Sequence, residues 1–307
     1  MTALLLPYPE IDPVLVQIGP FALRWYALAY IFGLLFGWWM IVRMLRETRL
    51  WARSPFAGKP PATADDIADL FVWVLVGVIL GGRLGFDLFY GIFFCGFFGG
   101  RDCGTLPLGY LDNPLRLIAE WHDGIPQLRG MSFHGGLIGV IVALVLFCRS
   151  RKLNLFKVGD LVALATPIGL FFGRLANFIN GELWGKVTDS PLGMVFCNDI
   201  IRDAYGYCPA GVLPRYPSQL IEAATEGVLL FVLLQLGYRV FRWHEKPGLV
   251  TAIFLFGYGA ARIFSELFRD SESMISGWFS MGMALSLLMW AIGAYFLWHA
   301  MKKEPAP

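Results

Sequence analysis

The stretch from Gly173 to Lys186 reads GRLANFINGELWGK and closes a long apolar run that begins near Val158. Arg174 and Asn177 are three residues apart and share one face of a helix, and the chain then turns at Gly181. A guanidinium in hydrocarbon costs at least about 2.5–3.5 kcal/mol, so it needs a partner. Two interpretations stay open at this point. Arg174 pairs with a carboxylate of a neighbouring helix, or it binds the phosphate of a lipid headgroup.

The whole chain has the composition of a polytopic membrane protein. Of its 307 residues 57% are hydrophobic and only 16% are charged, which is unlike a soluble domain. The net charge of +2 gives no reason to expect a nucleic-acid partner. Most of its seven apolar stretches are near the ~20 residues that a membrane-spanning helix needs. They are Phe21–Val42, Ile67–Phe89, Phe133–Cys148, Val158–Ile179, Leu220–Val240, Leu249–Phe268 and Trp278–Trp298. The sequence therefore predicts an all-α polytopic membrane protein with seven transmembrane helices, forming one membrane-embedded domain over residues 1–307.

The distribution of lysine and arginine predicts the orientation of these helices. The loops after spans one, three and five and the C-terminal tail are richer in basic residues than the other loops. Basic loops stay on the cytoplasmic side, so we expect an outer N-terminus and a cytoplasmic C-terminus. The long loops 90–132 and 181–218 then form a small head on the outer side.

Almost all polar groups inside the predicted spans lie toward one end of their helices. They are Arg24, Tyr26, Arg83, Asp87, His134, Arg174, Asn177, Glu222, Glu226, Arg262 and Glu266. A channel or proton path would continue to the other face, so this pattern favours a cavity open to the outer leaflet. Arg83 and Asp87 are four residues apart, so they are also at the spacing of an ion pair within one helix.

The chain offers no signature of a metal site or a bound cofactor. Its four histidines are scattered, and CxxC, HExxH, P-loop and GxSxG patterns are absent, so we expect neither metal nor cofactor. An enzyme of this kind would take its nucleophile from a substrate. Cys95, Cys103, Cys197 and Cys208 fall on the outer side and allow three pairings, of which Cys95–Cys103 with Cys197–Cys208 closes the smallest loops.

Several long motifs carry a resemblance to a known family. GRLANFINGELWGK is joined by IGPFALRWYAL at Ile18–Leu28, GGRLG at Gly81–Gly85, SFHGGLIG at Ser132–Gly139, VLPRYPSQL at Val212–Leu220 and GYGAARIFSE at Gly257–Glu266. Together they closely resemble the prolipoprotein diacylglyceryl transferases, nearly end to end. The chain departs from the family pattern at Tyr216, where histidine is usual, and at Asp87 and Met283.

The resemblance implies a reaction, its substrates and a location. These enzymes transfer the diacylglyceryl group of phosphatidylglycerol to the lipobox cysteine thiol in the signal peptide of a preprolipoprotein. A thioether forms and glycerol phosphate leaves. The resemblance also implies a bacterial inner membrane, a periplasmic head and an active site toward the periplasmic leaflet.

The resemblance further implies site residues, to which physical chemistry adds roles. Arg174 holds the phosphate of phosphatidylglycerol, because a guanidinium is a bidentate and permanently charged ligand. Asn177 and Glu182 orient the headgroup or the arginine by hydrogen bonds. Gly185, Arg83 and Tyr258 complete the expected phosphatidylglycerol-binding set.

The expected catalytic set is Arg262, His134, Glu266 and Tyr26. Arg262 stabilises charge on the leaving phosphate, and Glu266 orients it from one helical turn away. His134 accepts the thiol proton, since the thiolate is the nucleophile. Whether His134 or an arginine-organised site activates the thiol stays open from the sequence.

Two other classes of protein compete with an enzyme when the residues are taken alone. Intramembrane arginines are also typical of substrate pathways, which favours an outer-leaflet transporter of lipids or anions. The one-sided polar groups and the lack of paired broken helices argue against that class. A non-catalytic lipid-binding assembly factor is the third interpretation.

Overall fold

The computed structural model describes residues 6–19, 21–88, 120–122, 125–127, 131–270 and 274–302. Within these ranges seven helices are long and apolar enough to cross a membrane, which confirms the predicted class. They are α1 (Trp25–Leu45), α3 (Ala64–Phe86), α4 (Phe133–Ser150), α5 (Leu155–Ile179), α7 (Ser218–Arg239), α8 (Leu249–Glu266) and α9 (Met281–Met301). Two short helices, α2 (Thr48–Trp51) and α6 (Asp199–Tyr205), lie in the connections.

Three antiparallel hairpins accompany the helices. They are β1–β2 (Val14–Ile18, Phe21–Arg24), β3–β4 (Glu120–His122, Ile125–Gln127) and β5–β6 (Met274–Ser276, Phe279–Ser280). The first predicted span therefore began too early, because Phe21–Arg24 is a strand and Arg24 precedes the helix. The seventh also began too early, since α9 follows β6. Strand pairing satisfies backbone groups just before each helix, and apolar composition alone does not reveal it. Phe89 and residues 90–119 of the predicted head lie outside the described ranges.

The chain forms two compact units, one comprising residues 1–60 and 156–307 and the other residues 61–155. In the second unit α3 starts with a capping box, in which the Asp66 amide donates to Thr63 Oγ1 at 3.1 Å and Thr63 N donates to the Asp66 carboxylate at 2.9 Å. Ser132 caps α4 by accepting from the Gly135 amide at 3.3 Å. These local bonds define where both helices begin.

Helices α3 and α4 meet along a row of glycines, which we call the glycine seam. A Cβ at Gly77 would lie 2.6 Å from the Gly139 carbonyl oxygen, and a Cβ at Gly85 would lie 2.5 Å from Gly135 Cα. Real Cβ atoms do not come this close, so only glycine permits the contact. Small residues spaced four apart allow such backbone contact in membranes. The glycines at the start of α4 thus bring its backbone against that of α3.

In the first unit, a buried carboxylate of α5 caps the start of α8. Asp160 accepts hydrogen bonds from the Gly248 amide, the Thr251 amide and Thr251 Oγ1, each at 2.8 Å. These bonds satisfy donors that a helix start would otherwise leave unpaired. Asp160, the polar group at the opposite end of α5 from Arg174, is thus part of the helix packing.

Residues 181–218 of the first unit fold around a small apolar cluster. Met194, Phe196 and Ala210 are buried there, and Trp184 packs against them. A disulfide joins Cys197 to Cys208, with a Cα–Cα distance of 5.4 Å, and encloses α6. This is one of the two predicted pairs. The other, Cys95–Cys103, lies outside the described residues.

Candidate active site

Helix α7 carries two glutamates that are completely buried, Glu222 and Glu226. Its Ala223–Leu229 segment is π-helical, a widened turn that is common at functional sites. Gly227 lies in this turn, and a Cβ there would be 2.7 Å from Cβ of Phe171 in α5. The glycine thus lets α7 approach α5 closely, one turn from Arg174.

Arg174, near the end of α5, pairs with both buried glutamates. Its Nε lies 3.0 Å from Glu222 Oε2, and its Nη2 donates to Glu226 Oε2 at 3.1 Å. The ion-pair interpretation of Arg174 is therefore confirmed, with the partners on α7. Its side chain is still 16% exposed, so the guanidinium can be reached from outside the cluster.

Two further arginines contact the same glutamates. Arg262 Nη1 donates to Glu222 Oε1 at 2.7 Å, and its Nη2 lies 2.7 Å from Glu266 Oε1. The second contact agrees with the sequence-based pairing of Arg262 with Glu266. Arg269, just after α8, donates to the same Glu222 oxygen at 3.0 Å. Glu222 therefore contacts all three arginines.

We call these residues the arginine–glutamate cluster: Arg174, Glu222, Glu226, Arg262, Glu266 and Arg269. Its three cations and three carboxylates balance formally. In the described part of the chain, Glu226 Oε1 has no hydrogen-bond donor, and the nearest cationic contact is Arg262 Nη1 at 3.9 Å. The cluster is thus held together by ion pairs, and it contains a buried carboxylate oxygen that receives no hydrogen bond from the described residues.

The turn that follows α5, residues 180–183, holds a second set of polar side chains in the same unit. We call it the signature turn. Asn177 donates to Glu182 Oε1 at 2.7 Å, Asn180 donates to the same oxygen at 3.3 Å, and Gln219 donates to the Glu182 carbonyl at 2.6 Å. Gly181 adopts a positive φ of 64° here, a conformation that glycine reaches without strain. Asn177 and Glu182 thus orient each other.

Tyr8 caps the end of α5 under this turn. Its hydroxyl lies 2.7 Å from the Phe178 carbonyl, to which it donates, and 3.1 Å from that of Ile179. Burial, and then the charge of Glu182, raise the pKa of Tyr8 to about 12. The hydroxyl therefore keeps its proton and its role as donor at neutral pH.

Gly185 allows three segments to meet beside the cluster. Its amide donates to the Tyr216 carbonyl at 2.9 Å, and it forms an antiparallel bridge with Arg269. A Cβ at Gly185 would lie 2.6 Å from both the Tyr216 and Phe268 carbonyl oxygens. Gly185 thus positions the chain that carries Arg269.

The two predicted tyrosines lie at different places in the first unit. Tyr258, on α8, is within electrostatic range of Glu226 and Arg174. Tyr26, in the first turn of α1, accepts a hydrogen bond from Tyr30 at 3.4 Å, and Tyr30 in turn is within electrostatic range of Glu182. Tyr258 therefore lies near the cluster, whereas the hydrogen bond of Tyr26 is to Tyr30 of its own helix.

The second unit carries the remaining predicted residues. Arg83 Nε lies 3.4 Å from Asp87 Oδ2, and both side chains are almost completely buried, as the four-residue spacing predicted. His134 is exposed in the first turn of α4 and contacts the Phe133 ring. Its imidazole makes no hydrogen bond to any residue that the structure describes.

Glu222, Glu226 and Arg269 were missing from the predicted site. Glu222 and Glu226 are two carboxylates at helical spacing inside an apolar segment. That pattern was sufficient reason to include both in the predicted site. Arg269 follows the end of a span and has no such signal. Over the described ranges, no group of three or more potential ligand side chains could hold a metal ion.

Comparison with known proteins places this geometry in context. Residues 13–299 match the family described as prolipoprotein diacylglyceryl transferase. A phosphatidylglycerol–prolipoprotein diacylglyceryl transferase of Rhodospirillum rubrum is 48% identical over 92% of this chain and 89% of its own length. Proteins of the same name from Phenylobacterium zucineum and a Caulobacter species are 43% and 45% identical over 98% of this chain, covering 97% and 96% of their own lengths.

Proposed function

The chain belongs to the prolipoprotein diacylglyceryl transferase family, and from this membership we propose that the arginine–glutamate cluster is its active site. The protein transfers a diacylglyceryl group from phosphatidylglycerol to a prolipoprotein and acts in lipoprotein maturation. The observation that carries the proposal is the convergence of Arg174, Arg262 and Arg269 on the buried Glu222.

The cluster is suited to bind the phosphate of phosphatidylglycerol. Arg174 uses Nε and Nη2 for its glutamates, and Arg269 uses Nη1. Within the described ranges Arg174 Nη1 and Arg269 Nη2 have no protein acceptor. Since both side chains are 15–16% exposed, these groups can donate to phosphate oxygens. Charge-assisted donors fixed in advance stabilise developing charge most effectively.

The proposed reaction places the largest change in charge on this phosphate. The lipobox cysteine thiolate attacks the glyceryl carbon, so a C–S bond forms as the C–O bond to the phosphate breaks. The thiolate loses its negative charge, and the departing glycerol phosphate gains one. In this proposal Arg262 stabilises the negative charge that glycerol phosphate gains, and Glu266 holds the guanidinium of Arg262 in place.

The other predicted residues take supporting roles in this proposal. His134 accepts the thiol proton, a role for which its exposed imidazole is suited. Asn177, Glu182 and Gly185 shape the turn beside the phosphate. Tyr258 and Arg83 complete the expected substrate-binding set, and Tyr26 completes the expected catalytic set.

The protein is a multi-pass membrane protein, and we propose that it lies in the bacterial inner membrane with the cluster toward the periplasmic leaflet. The basic loops support this orientation. The signal peptide of a preprolipoprotein would then reach the cluster from the outer side.

The test is an assay of purified protein with phosphatidylglycerol and a lipobox peptide, in which mass spectrometry detects the thioether adduct. The comparison is wild type against Arg174→Ala, with Arg46→Ala as a matched control because Arg46 is exposed at the far end of α1. We expect adduct from wild type and the control and none from Arg174→Ala. Full activity of Arg174→Ala, or lipid movement in vesicles without any adduct, would contradict the proposal.

A further inference from the structure

A groove lies between α1 and α7, far along both helices from the arginine–glutamate cluster. It encloses about 400 Å³ and lies near Arg239, at the end of α7. At 1.5 Å per residue, that end is about 20 Å along the helix from Glu226. The groove is therefore near the opposite membrane face. Its lining residues are Phe36, Trp39, Met40, Arg43, Glu47, Arg49, Phe231, Gln235 and Arg239.

The polar part of this groove has an excess of positive charge. Arg239 Nη1 donates to both carboxylate oxygens of Glu47 at 3.0 Å, and Arg49 donates to Glu47 at 3.2 Å. Burial acts to raise the pKa of Glu47, but the bonds and charges of Arg239 and Arg49 outweigh it and hold the pKa below its usual value. A single carboxylate thus faces three guanidiniums once Arg43 is included.

Arg43 is the cation with the most unused hydrogen-bonding capacity. Its guanidinium lies 5.5 Å from the centre of the Trp39 ring, and within the part of the chain that the structure describes no carboxylate pairs with it. Arg49 has a side chain that is 78% exposed. Both can turn donors toward an anion without breaking a buried contact.

The remaining wall of the groove is aromatic and belongs to the membrane-crossing part of α1. Phe36 and Trp39 stack with ring centres 5.2 Å apart, and each is 46% exposed. Phe231 of α7 lines the other side. An apolar wall that leads from a basic end along two membrane helices suits a lipid tail, and a soluble phosphate compound would not use it.

We propose that this groove binds an anionic phospholipid, with the headgroup phosphate at Arg43 and Arg49 and an acyl chain against Phe36, Trp39 and Phe231. The site is separate from the active site, since it lies near the opposite membrane face. Basic pockets between membrane helices on the cytoplasmic side are known to bind such headgroups. The lipid would cover the aromatic wall and neutralise the excess charge.

The test counts lipids on the intact purified protein by native mass spectrometry, during titration with dioleoylphosphatidylglycerol. The variant Arg43→Gln with Arg49→Gln removes two exposed charges, and Arg46→Gln is the matched control because it removes an exposed charge outside the groove. We expect the double variant to retain one lipid fewer than wild type, because losing two charges weakens binding at this site about thirtyfold. Arg46→Gln should match wild type.

Two further binding measurements in the same experiment identify the ligand. Dioleoylphosphatidylcholine should bind all three proteins equally, and inorganic phosphate should not displace the retained lipid. Equal retention of phosphatidylglycerol by wild type and the double variant would overturn the proposal. An equal loss of phosphatidylcholine from the double variant would overturn it too, because the effect would then not be one of charge. If inorganic phosphate displaced the retained lipid, the groove would be a site for free phosphate, and the proposal of a lipid ligand would be wrong.

Discussion

Arg262 Nη1 lies 2.7 Å from Glu222 Oε1, and this contact joins α8 to the start of α7. The same carboxylate reaches Arg174 at 3.0 Å and Arg269 at 3.0 Å. Glu222 is completely buried, so its charge must be compensated within the protein. One carboxylate therefore orients three cations, and the geometry of the cluster depends on it more than on any single arginine.

Replacing Glu222 by glutamine should be more damaging than replacing Glu226. Glutamine keeps the volume of either side chain, but Glu222 contacts three arginines, whereas the close contacts of Glu226 are with Arg174 alone. We expect Glu222→Gln to lower transfer activity by about 100-fold or more, in line with the loss of preorganised charge stabilisation. Steady-state kinetics at equal membrane levels would measure both. Equal activities of the two variants would refute the ranking.

Lysine should not replace either Arg174 or Arg262. A lysine keeps the charge but cannot donate from a planar fork to two partners at once, as each arginine does here. We expect each substitution to reduce activity by about 100-fold. Arg46→Lys is the control and should leave activity unchanged. If either cluster variant kept full activity at normal membrane levels, that arginine would have no place in the mechanism.

A methyl group at Gly282 should disturb the Arg262–Glu266 pair. A Cβ there would lie 2.5 Å from Glu266 Oε1 and 3.2 Å from Arg262 Nε, so the carboxylate must move. We expect Gly282→Ala to cost about 10- to 100-fold in activity, because displacements of about 1 Å have effects of that size. Gly169→Ala is the matched control, since a Cβ at Gly169 meets nothing within 4 Å. A thermal unfolding scan beside the assay would show whether lost activity comes from unfolding, and full activity of folded Gly282→Ala would contradict the prediction.

The apolar stretches predicted all seven membrane helices, because length and composition are sufficient for that purpose. They did not predict the hairpins, in which Phe21–Arg24 pairs with Val14–Ile18, since such pairing depends on neighbours in space. Within the cluster, the Arg262–Glu266 contact followed from four-residue spacing on one helix. The partners of Arg174 lie on another helix, and helix packing determines which carboxylate it meets. Arg269 lies after a span, where periodicity carries no information.

The cap that Tyr8 places on α5 should be visible in stability against pH. The usual pKa of tyrosine is 10.0, and in the folded protein that of Tyr8 rises to about 12. Between these values the unfolded chain loses the proton while the folded protein keeps it. The stabilising contribution is therefore complete below pH 10 and is lost as the pH rises from 10 to 12.

Tyr8→Phe removes both the titration and the hydrogen bond. We expect it to destabilise the protein by about 0.5–1.5 kcal/mol at neutral pH. The difference between wild type and variant should shrink between pH 10 and pH 12. Chemical unfolding at several pH values would measure it, and a constant difference across that range would show that the hydroxyl does not titrate as described.

The bond between Cys197 and Cys208 should appear as a linked peptide in a mass map made without reductant. Cys197→Ser should lower stability by about 2–3 kcal/mol, the size expected for closing a loop of this length. The double variant Cys197→Ser with Cys208→Ser should be no less stable than either single one, because the bond is already lost. Two free thiols at these positions, or additive losses in the double variant, would be inconsistent with the bond.

The glycine seam also bears on where substrates can travel. Backbone atoms of α3 and α4 touch directly at Gly77, Gly85, Gly135 and Gly139, and no gap as wide as a hydrocarbon tail remains between the two helices there. Lipid therefore cannot diffuse sideways through this joint. The long-chain donor and the acylated product must reach and leave the active site without passing between α3 and α4.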